Sequence, residues 1–537
     1  MMQPAPKTAV NVDGLPLLLL SPIWVETEHQ VNRIPSARVV LSVPGNPTQT
    51  LTERDTEMAR CEPGASATLT VDVDGHDVRI FTGVVMRQEL KVRRGQAELT
   101  LVLRHGLQSL AATHGSRVFA QMTDEAIVRQ LLRPLDVALT KCTGLTTTHE
   151  QLVQFRCSDW HFLRSRLNVN GVWLMPSPEG AEISQPFLSP AAAHKLYQSL
   201  HDVDEDSPVD EGEWHFSDQS QADALSVSTW DVDRQVCTSA KARSVALGSD
   251  ALNPAAIRAL NPATWLFGYS APLSVQESEN LANALLMNLQ AAAVQGDFVV
   301  TGSVDYELGQ TVQTSGYGSR FDGKGIVTCV RHRIGKESGW RTQLRLGLDE
   351  IVQDASLVPR ANGPHVGVIA PFEMDSTAQG RIRIKLAALG AGAPVLWARF
   401  ASPYATNAAG FCFYPEVGDE VVVAFFDDNP SYPVIVGAMF NPVNKAPFQP
   451  DKESLNKVLV VKGTSGNLML SFDKKEESLV ASVDGSSFAL KQGVTMTTSE
   501  PMSISARGVS LAAQESLEMS GDADVKIKGP RIDLTNG

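Results

Sequence analysis

Residues 461–537 constrain this chain more than any other stretch. Their apolar residues come in pairs separated by one position: Leu468/Leu470, Leu479/Ala481, Phe488/Leu490, Val494/Met496, Met502/Ile504, Val509/Leu511, Leu517/Met519, Val525/Ile527 and Ile532/Leu534. After Leu479 the pairs recur every six to eight residues, which fits a short strand plus a turn. Side chains two positions apart on a strand share a face. A meander of such strands is a narrow sheet with one apolar face and nothing in its own chain to cover it. Three identical sheets facing one axis would cover it, as a triangular prism advancing about 4.7 Å per strand into a rod of about 40 Å. A solenoid lying on a monomer and a second ordinary sandwich are the alternatives, though solenoid coils carry longer strands with several inward positions. The residues expected to line the axis are Leu468, Leu470, Phe488, Leu490, Val494, Met496, Ile504, Val509, Leu511, Val525, Ile527, Ile532 and Leu534.

The other residues are ordinary globular sequence. At roughly 150 residues per domain, 537 residues suggest three or four units. A formal charge of −14 with no basic block argues against nucleic acid as a partner, because phosphate binding needs a basic face. The 6 cysteines show no C-x-x-C spacing, so reduced thiols are expected rather than a zinc site or dithiol pair. Leu15 to Val25 is apolar but short and broken by Pro16 and Pro22, neither a membrane span nor a signal peptide. Synthesis in the cytoplasm, with any export left to other machinery, is the expectation.

Alternating β-branched runs at Ala37–Val43, Ala67–Val73 and Ala97–Leu103, with Asp74-Gly75 as a hairpin signal, predict a barrel or sandwich. Thr123 and Ser158 read as N-caps of helices ended by Pro134 and Gly171, and a third helix is predicted over Glu277–Ala293. A second β-region, Phe298–Leu348, echoes the first. Phe81-Thr82-Gly83-Val84-Val85, with Arg87, resembles Gly325-Ile326-Val327, with Arg331, so a duplicated barrel stands beside two unrelated hairpins as the explanation. The acidic run 202–213 reads as a solvated loop. Asp202, Asp204, Asp206 and Glu213 have the spacing of a calcium loop, but Ser207 stands where the sharp turn requires glycine. Five short strands between Val366 and Phe440 predict a small closed barrel of oligonucleotide/oligosaccharide-binding (OB) topology. The expected domains are thus a hub over 1–355, divided near residue 200 into two related barrels with helical insertions, then an OB barrel over 356–445, a linker over 446–460 and the prism over 461–537. The fold class is mainly β with some α.

Phe411-Cys-Phe-Tyr-Pro-Glu-Val-Gly-Asp-Glu420 running on to Gly437, with Gly380-Arg-Ile-Arg-Ile-Lys385 upstream, resembles the barrel of VgrG-type spike proteins and phage baseplate spikes. Phe155–Leu163, Asn170–Trp173, Gly325–His332 and Trp340–Thr342 extend the resemblance over nearly the whole chain. It implies a homotrimeric hub and spike at the tip of a contractile injection machine, joining a sixfold inner tube to a threefold membrane-piercing needle. The implied partners are two further copies, the tube or tube-initiator protein, other baseplate proteins, cargo effectors and, transiently, a target membrane. Val31-Asn-Arg-Ile-Pro35 and the compact C-terminus look closer to the extracellular phage-tail-like particle or phage branch, and the implied location is the baseplate or tip of such a particle, released outside the cell. Some phage spikes end in a histidine-bound metal; here the last histidine is His365, and a PAAR-like tip protein docking at Leu534, Asn536 and Gly537 is expected instead.

Signals for catalysis, cofactor or metal are missing from the sequence. His149-Glu150 starts a zincin-like string that Val153 breaks, and there is no G-x-S-x-G or phosphate loop. His161 and His332 read as packing or hydrogen-bonding residues, and Arg381, Arg383 and Lys385 lack the exposed aromatic run of a base-stacking platform. A mechanical protein is therefore expected. A spike with carbohydrate-binding or cell-wall-degrading activity is the alternative.

Overall fold

The computed structural model describes residues 6–44, 51–135, 137–198, 207–216, 222, 224–243, 264–319, 321–336, 338–348, 356–390, 392, 394–449 and 452–535. They form two units that divide between Met439 and Phe440.

The first unit is built on a 13-stranded sheet containing one motif twice. Ser21–Gln30, Ser36–Val43, Ser66–Val73, His76–Arg93 and Gln96–Arg104, numbered one to five along the chain, lie side by side in the order 1-2-5-4-3, all antiparallel. Ser207–Phe216, Val294–Thr301, Thr311–Ser315, Gly323–Gly335 and Gly339–Leu346 repeat that order and sense. Bulges coincide as well. One falls between Pro22 and Trp24 and its counterpart between Val209 and Glu211; another falls between Val85 and Arg87 and its counterpart between Val327 and Cys329. Superposing the bulges equates Val40 with Val299 and Thr100 with Gln343. Val40 does face Thr100, and Val299 does face Gln343, so a ladder not used in the alignment agrees with it. The echo in the sequence falls on corresponding strands of this repeated arrangement. Gly83 matches Gly325, but Arg87 matches Cys329 rather than Arg331, which corresponds to Glu89.

The halves meet at a seam where Cys329–Gly335 pairs with Gln30–Trp24. His194–Gln198 bridges Ser207–Val209 and Val312–Ser315, closing the second half into a six-stranded ring. Among the described residues no ladder closes the first half. The two halves share one continuous sheet, because Gly323–Gly335 is long enough to serve both: its first residues pair with Thr311–Thr314 and its last with Trp24–Gln30.

Helices α1 (Leu51–Arg60), α2 (Gln108–Ala112), α3 (Asp124–Leu132), α4 (Asp159–Asn170) and α5 (Val275–Ala293) occupy the connections. Thr123 and Ser158 cap α3 and α4 as expected, their hydroxyls accepting from the amides of Ala126 and His161. Gly171 ends α4 at φ 62°, a left-handed conformation. A Cβ there would also lie 3.2 Å from the Ala284 Cα of α5, so the glycine allows two helices to touch.

The small barrel closes through His365–Ile369, Ile382–Leu386, Leu396–Phe400, Pro433–Ala438 and Glu420–Phe425 in spatial order, the expected OB topology. Ile382, Ile384 and Leu386 are buried together, as their alternation with Arg383 and Lys385 requires.

The acidic run behaves differently from its reading as a loop. Asp202, Asp204 and Asp206 lie outside the described residues, but Ser207–Phe216 is a strand, with no helix beginning after Glu213. Val209 is buried and Trp214 packs beside it in the second half's core, with the Phe298 ring 5.2 Å from Trp214, while the acidic side chains point away. Dense charge masked this half-buried alternation.

The second unit contains a five-stranded meander: Asn456–Lys462, Asn467–Asp473, Ser478–Val483, Ser486–Leu490 and Val494–Thr497. Its first strand begins inside the stretch read as linker. Residues 498–535 are exposed and carry no regular secondary structure, in contrast to the nine strands expected. Their apolar pairs have no surface in one chain to pack on, and four-residue strands do not hold a ladder without packing.

Candidate functional site

Three features of the molecule have geometry beyond what the fold itself needs: a joint between hub and small barrel, a buried ionic cluster behind it, and the uncovered face of the C-terminal sheet.

The joint is made by the hub strand Thr148–Ser158. Gln151 imitates a backbone partner: its Oε1 accepts from the Trp397 amide at 2.9 Å, and its Nε2 donates to the carbonyls of Trp397 at 3.0 Å and Ser431 at 2.8 Å. Two residues on, the Val153 amide donates to Ser431 Oγ at 2.9 Å, and the side chains of Val153 and Phe155 enter the small barrel's own core. Arg381 donates to both oxygens of Glu150, at 2.7 and 2.8 Å, and to Asp375, while its guanidinium lies 5.4 Å from the Trp397 ring centre. Burial alone would raise the Asp375 carboxyl, but hydrogen bonds from Arg381 and Thr377 outweigh it and hold the group well below the usual carboxylate range. The hub thus reaches the third barrel strand at Trp397 and the residue before the second, Arg381.

Behind the joint, Arg166 of α4 is 1% exposed. It donates to Asp124 of α3 at 2.9 and 3.1 Å, to Glu277 of α5 at 2.9 Å and to the carbonyl of Leu357 at 2.8 Å. His149 Nε2 sits 3.1 Å from Asp124 Oδ1, and Asn170 donates to Oδ2 at 2.7 Å. Burial favours a neutral Asp124; the guanidinium of Arg166 overrides it and keeps the acid ionised far below its ordinary range. One cation thus ties three helices to the chain entering the small barrel. A pocket of about 310 Å³ opens beside the cluster, lined by Glu150, Glu277, Trp397, Arg399 and Tyr432 among others. Its carboxylates are engaged by Arg381 and Arg166, and burial pushes the Tyr432 phenol up.

On the C-terminal sheet, cross-strand register places Val461, Leu468 and Val483 in one row, Leu459, Leu470, Ala481, Phe488 and Met496 in the next, and Phe472, Leu479, Leu490 and Val494 in a third. Directly opposed residues share a face, and so do residues two apart, so all three rows lie on one side. The expected residues Leu468, Leu470, Phe488, Leu490, Val494 and Met496 are therefore brought together. Ile504, Val509, Leu511, Val525, Ile527 and Ile532 are exposed without strand partners; Leu534 is 93% exposed, and Asn536 and Gly537 lie outside the described residues.

Of the two histidines singled out, His332 is buried with Nδ1 3.0 Å from Thr342 Oγ1, whereas His161 is exposed because it faces outward on α4. All 6 cysteines are unpaired thiols, two of them, Cys237 and Cys412, exposed. Among the described residues no His/Cys/Asp/Glu group is arranged to hold a metal, and no helix is long and apolar enough to cross a membrane. Sequence reasoning missed Gln151 and Arg166, since a glutamine that mimics backbone and an arginine buried by distant acids leave no local signature.

Residues 7–336 match the sequence family described as the Alg8 N-terminal domain. The chain belongs to that family. Residues 365–440 match the type VI secretion system/phage-baseplate injector OB domain. The type VI secretion system spike protein VgrG1a of Pseudomonas aeruginosa is 21% identical over 457 residues, 76% of this chain and 67% of the relative. Among solved structures, the lidded Francisella PdpA-VgrG complex matches with a TM-score of 0.57 at 9% identity, over 92% of this chain and 80% of that one. The E. coli c3393 protein, described as a type VI secretion component similar to the phage T4 tail proteins gp27 and gp5, matches at 0.50 and 14% identity, over 80% and 99%. This member of the Alg8 N-terminal domain family is thus similar in fold to VgrG-type spike proteins, with a large sheet followed by a small closed barrel.

Proposed function

We propose that this protein is the hub and spike of a contractile injection machine, assembled as a homotrimer. In this reading the duplicated hub joins a sixfold inner tube to a threefold needle, and the C-terminal segment pierces an envelope while carrying a tip protein or cargo. The observation that carries it is the apolar face of the C-terminal sheet: three aligned rows of side chains that one chain leaves in water, on a molecule whose preceding residues have the VgrG-type fold. Two more copies would bury that face and give the 498–535 pairs something to pack on. The joint supports the mechanical part of the reading, since force on the spike reaches the hub through Gln151, Arg381 and the shared core at Val153 and Phe155.

Light scattering on the full-length protein tests the proposal. A trimer is expected, and Phe488→Asp, which would bring three carboxylates toward one dry axis, should reduce it to smaller species. A stable monomer with an ordered C-terminal segment would overturn it.

A further inference from the structure

Beside the seam, where the first half of the sheet meets α2 and α4, lies a pocket of about 540 Å³. Arginine comes to it from three places: Arg33 from the turn after Ser21–Gln30, Arg104 from the last position of Gln96–Arg104, and Arg164 from α4. One acid lines it, Glu28, and that carboxylate is already held by Arg331, whose Nε donates to it at 2.6 Å. The lining thus carries an excess of positive charge, in a chain whose net charge is −14. Like charges gathered in a concavity repel one another, and the same concavity focuses their field on an incoming anion.

The cations are held in place while donors around them are left over. Trp160, one turn before Arg164 on α4, sets its ring centre 6.0 Å from that guanidinium carbon. The turn that presents Arg33 is pinned at Asn32, whose amide donates to the Leu174 carbonyl at 2.7 Å and whose Oδ1 accepts from the Leu174 amide at 2.9 Å. Asn32 has φ 62°, a left-handed conformation that a residue other than glycine keeps only where its surroundings enforce it. Arg104 is half-buried and offers five N–H donors. Among the described residues its side chain makes one long hydrogen bond, from Nη1 to the Ile34 carbonyl at 3.5 Å, and has no carboxylate partner. The half-buried side chains of Gln108 on α2 and of Ser36, which faces Arg104 across the ladder, make no hydrogen bond among the described residues.

Guanidinium forks match phosphate oxygens two at a time, and the volume lies in the range of small-molecule sites, well beyond one phosphate ion. We propose that this pocket binds a compound with two or more phosphoryl groups, Arg33, Arg104 and Arg164 taking phosphate oxygens while Gln108 and Ser36 donate to others. A soluble polyphosphate compound and the phosphorylated headgroup of a lipid share this chemistry. The site is complete within one chain and does not depend on the hub-and-spike reading.

Isothermal titration of the full-length protein with inorganic tripolyphosphate tests it. Saturable binding at one site per chain is expected, weakened at least tenfold by Arg104→Gln and several-fold by Gln108→Leu. Lys241→Gln, at an exposed cation on another strand, should leave it unchanged. Gln108→Leu removes no hydrogen bond within the described chain, so its loss of affinity, at an unchanged melting temperature, reports on the site rather than on folding. Vesicles of phosphatidylcholine, with and without a bisphosphorylated inositol lipid, separate the two sources. Retention on the charged vesicles alone, abolished by Arg104→Gln, assigns a lipid headgroup; titration by tripolyphosphate without vesicle retention assigns a soluble compound. No saturation with either, an equal loss in Lys241→Gln, or tighter binding of hexaglutamate than of tripolyphosphate would overturn the site.

Discussion

Histidine burial gives the hub seam a pH dependence. Desolvation lowers His332 to about 4 and His105 to about 4, and burial together with these two neighbours lowers His29 to about 3. A base with a depressed folded value binds protons more readily when unfolded, so its contribution is complete above about pH 6.5 and is lost as the pH falls toward 4. For His332 alone that amounts to about 3 kcal/mol. Denaturant titration at pH 7.5 and 4.5 should show a large loss of hub stability, and His332→Gln, retaining a hydrogen-bond partner for Thr342, should shrink the difference. Asp124 acts in a lower window, its stabilisation being present above about pH 4 and lost below it. Arg166→Met removes the cation that Asp124 and Glu277 share. Leaving two acids buried without it should cost about 3–5 kcal/mol, visible as a drop in the hub's melting temperature.

Single elements show which parts of this structure local sequence can specify. Caps at Thr123 and Ser158, the stop at Gly171, the hairpin at Asp74-Gly75 and the alternation Ile382-Ile384-Leu386 are local devices, and each lies where its chemistry predicts. Ser207–Phe216 escaped because acidic side chains on its outer face outnumber the inward Val209 and Trp214. The joint escaped because its partners, Gln151 and Trp397, are 246 residues apart, and a polar residue that replaces a strand neighbour looks like any surface glutamine. Gln151→Leu would leave the Trp397 and Ser431 carbonyls and the Trp397 amide without that partner. Faster hydrogen exchange through residues 356–439, with the hub strands unchanged, is the expected outcome. Gly171→Val should destabilise the α4–α5 contact by about 2 kcal/mol, from a left-handed backbone and a Cβ pressed on Ala284.

For the whole molecule, periodicity revealed the one-sided face of the C-terminal sheet but not where regular strands end, because that depends on surface another chain must supply. If assembly provides it, amides in 498–535 should exchange within seconds in dissociated chains and be strongly protected in the oligomer. Equal exchange in both states would remove the spike from the proposed architecture. The repeated arrangement lay at the limit of legibility: Gly83 and Gly325 align by eye, but the match of Arg87 with Cys329 depends on a bulge that only the ladder reveals.

That bulge has a further consequence. Thr328 is the extra residue between the part of Gly323–Gly335 that completes the six-stranded ring and the part that holds the other half of the hub. Removing it would take away the carbonyl that accepts from the Val31 amide at 2.8 Å and would rotate one part by a half-turn of the pleat, so that His332 and Ile334 would trade sides with Arg331 and Arg333. A single codon thus works as the gear tooth that keeps two sheets in phase, and its loss would turn two arginines toward a buried face and break the seam.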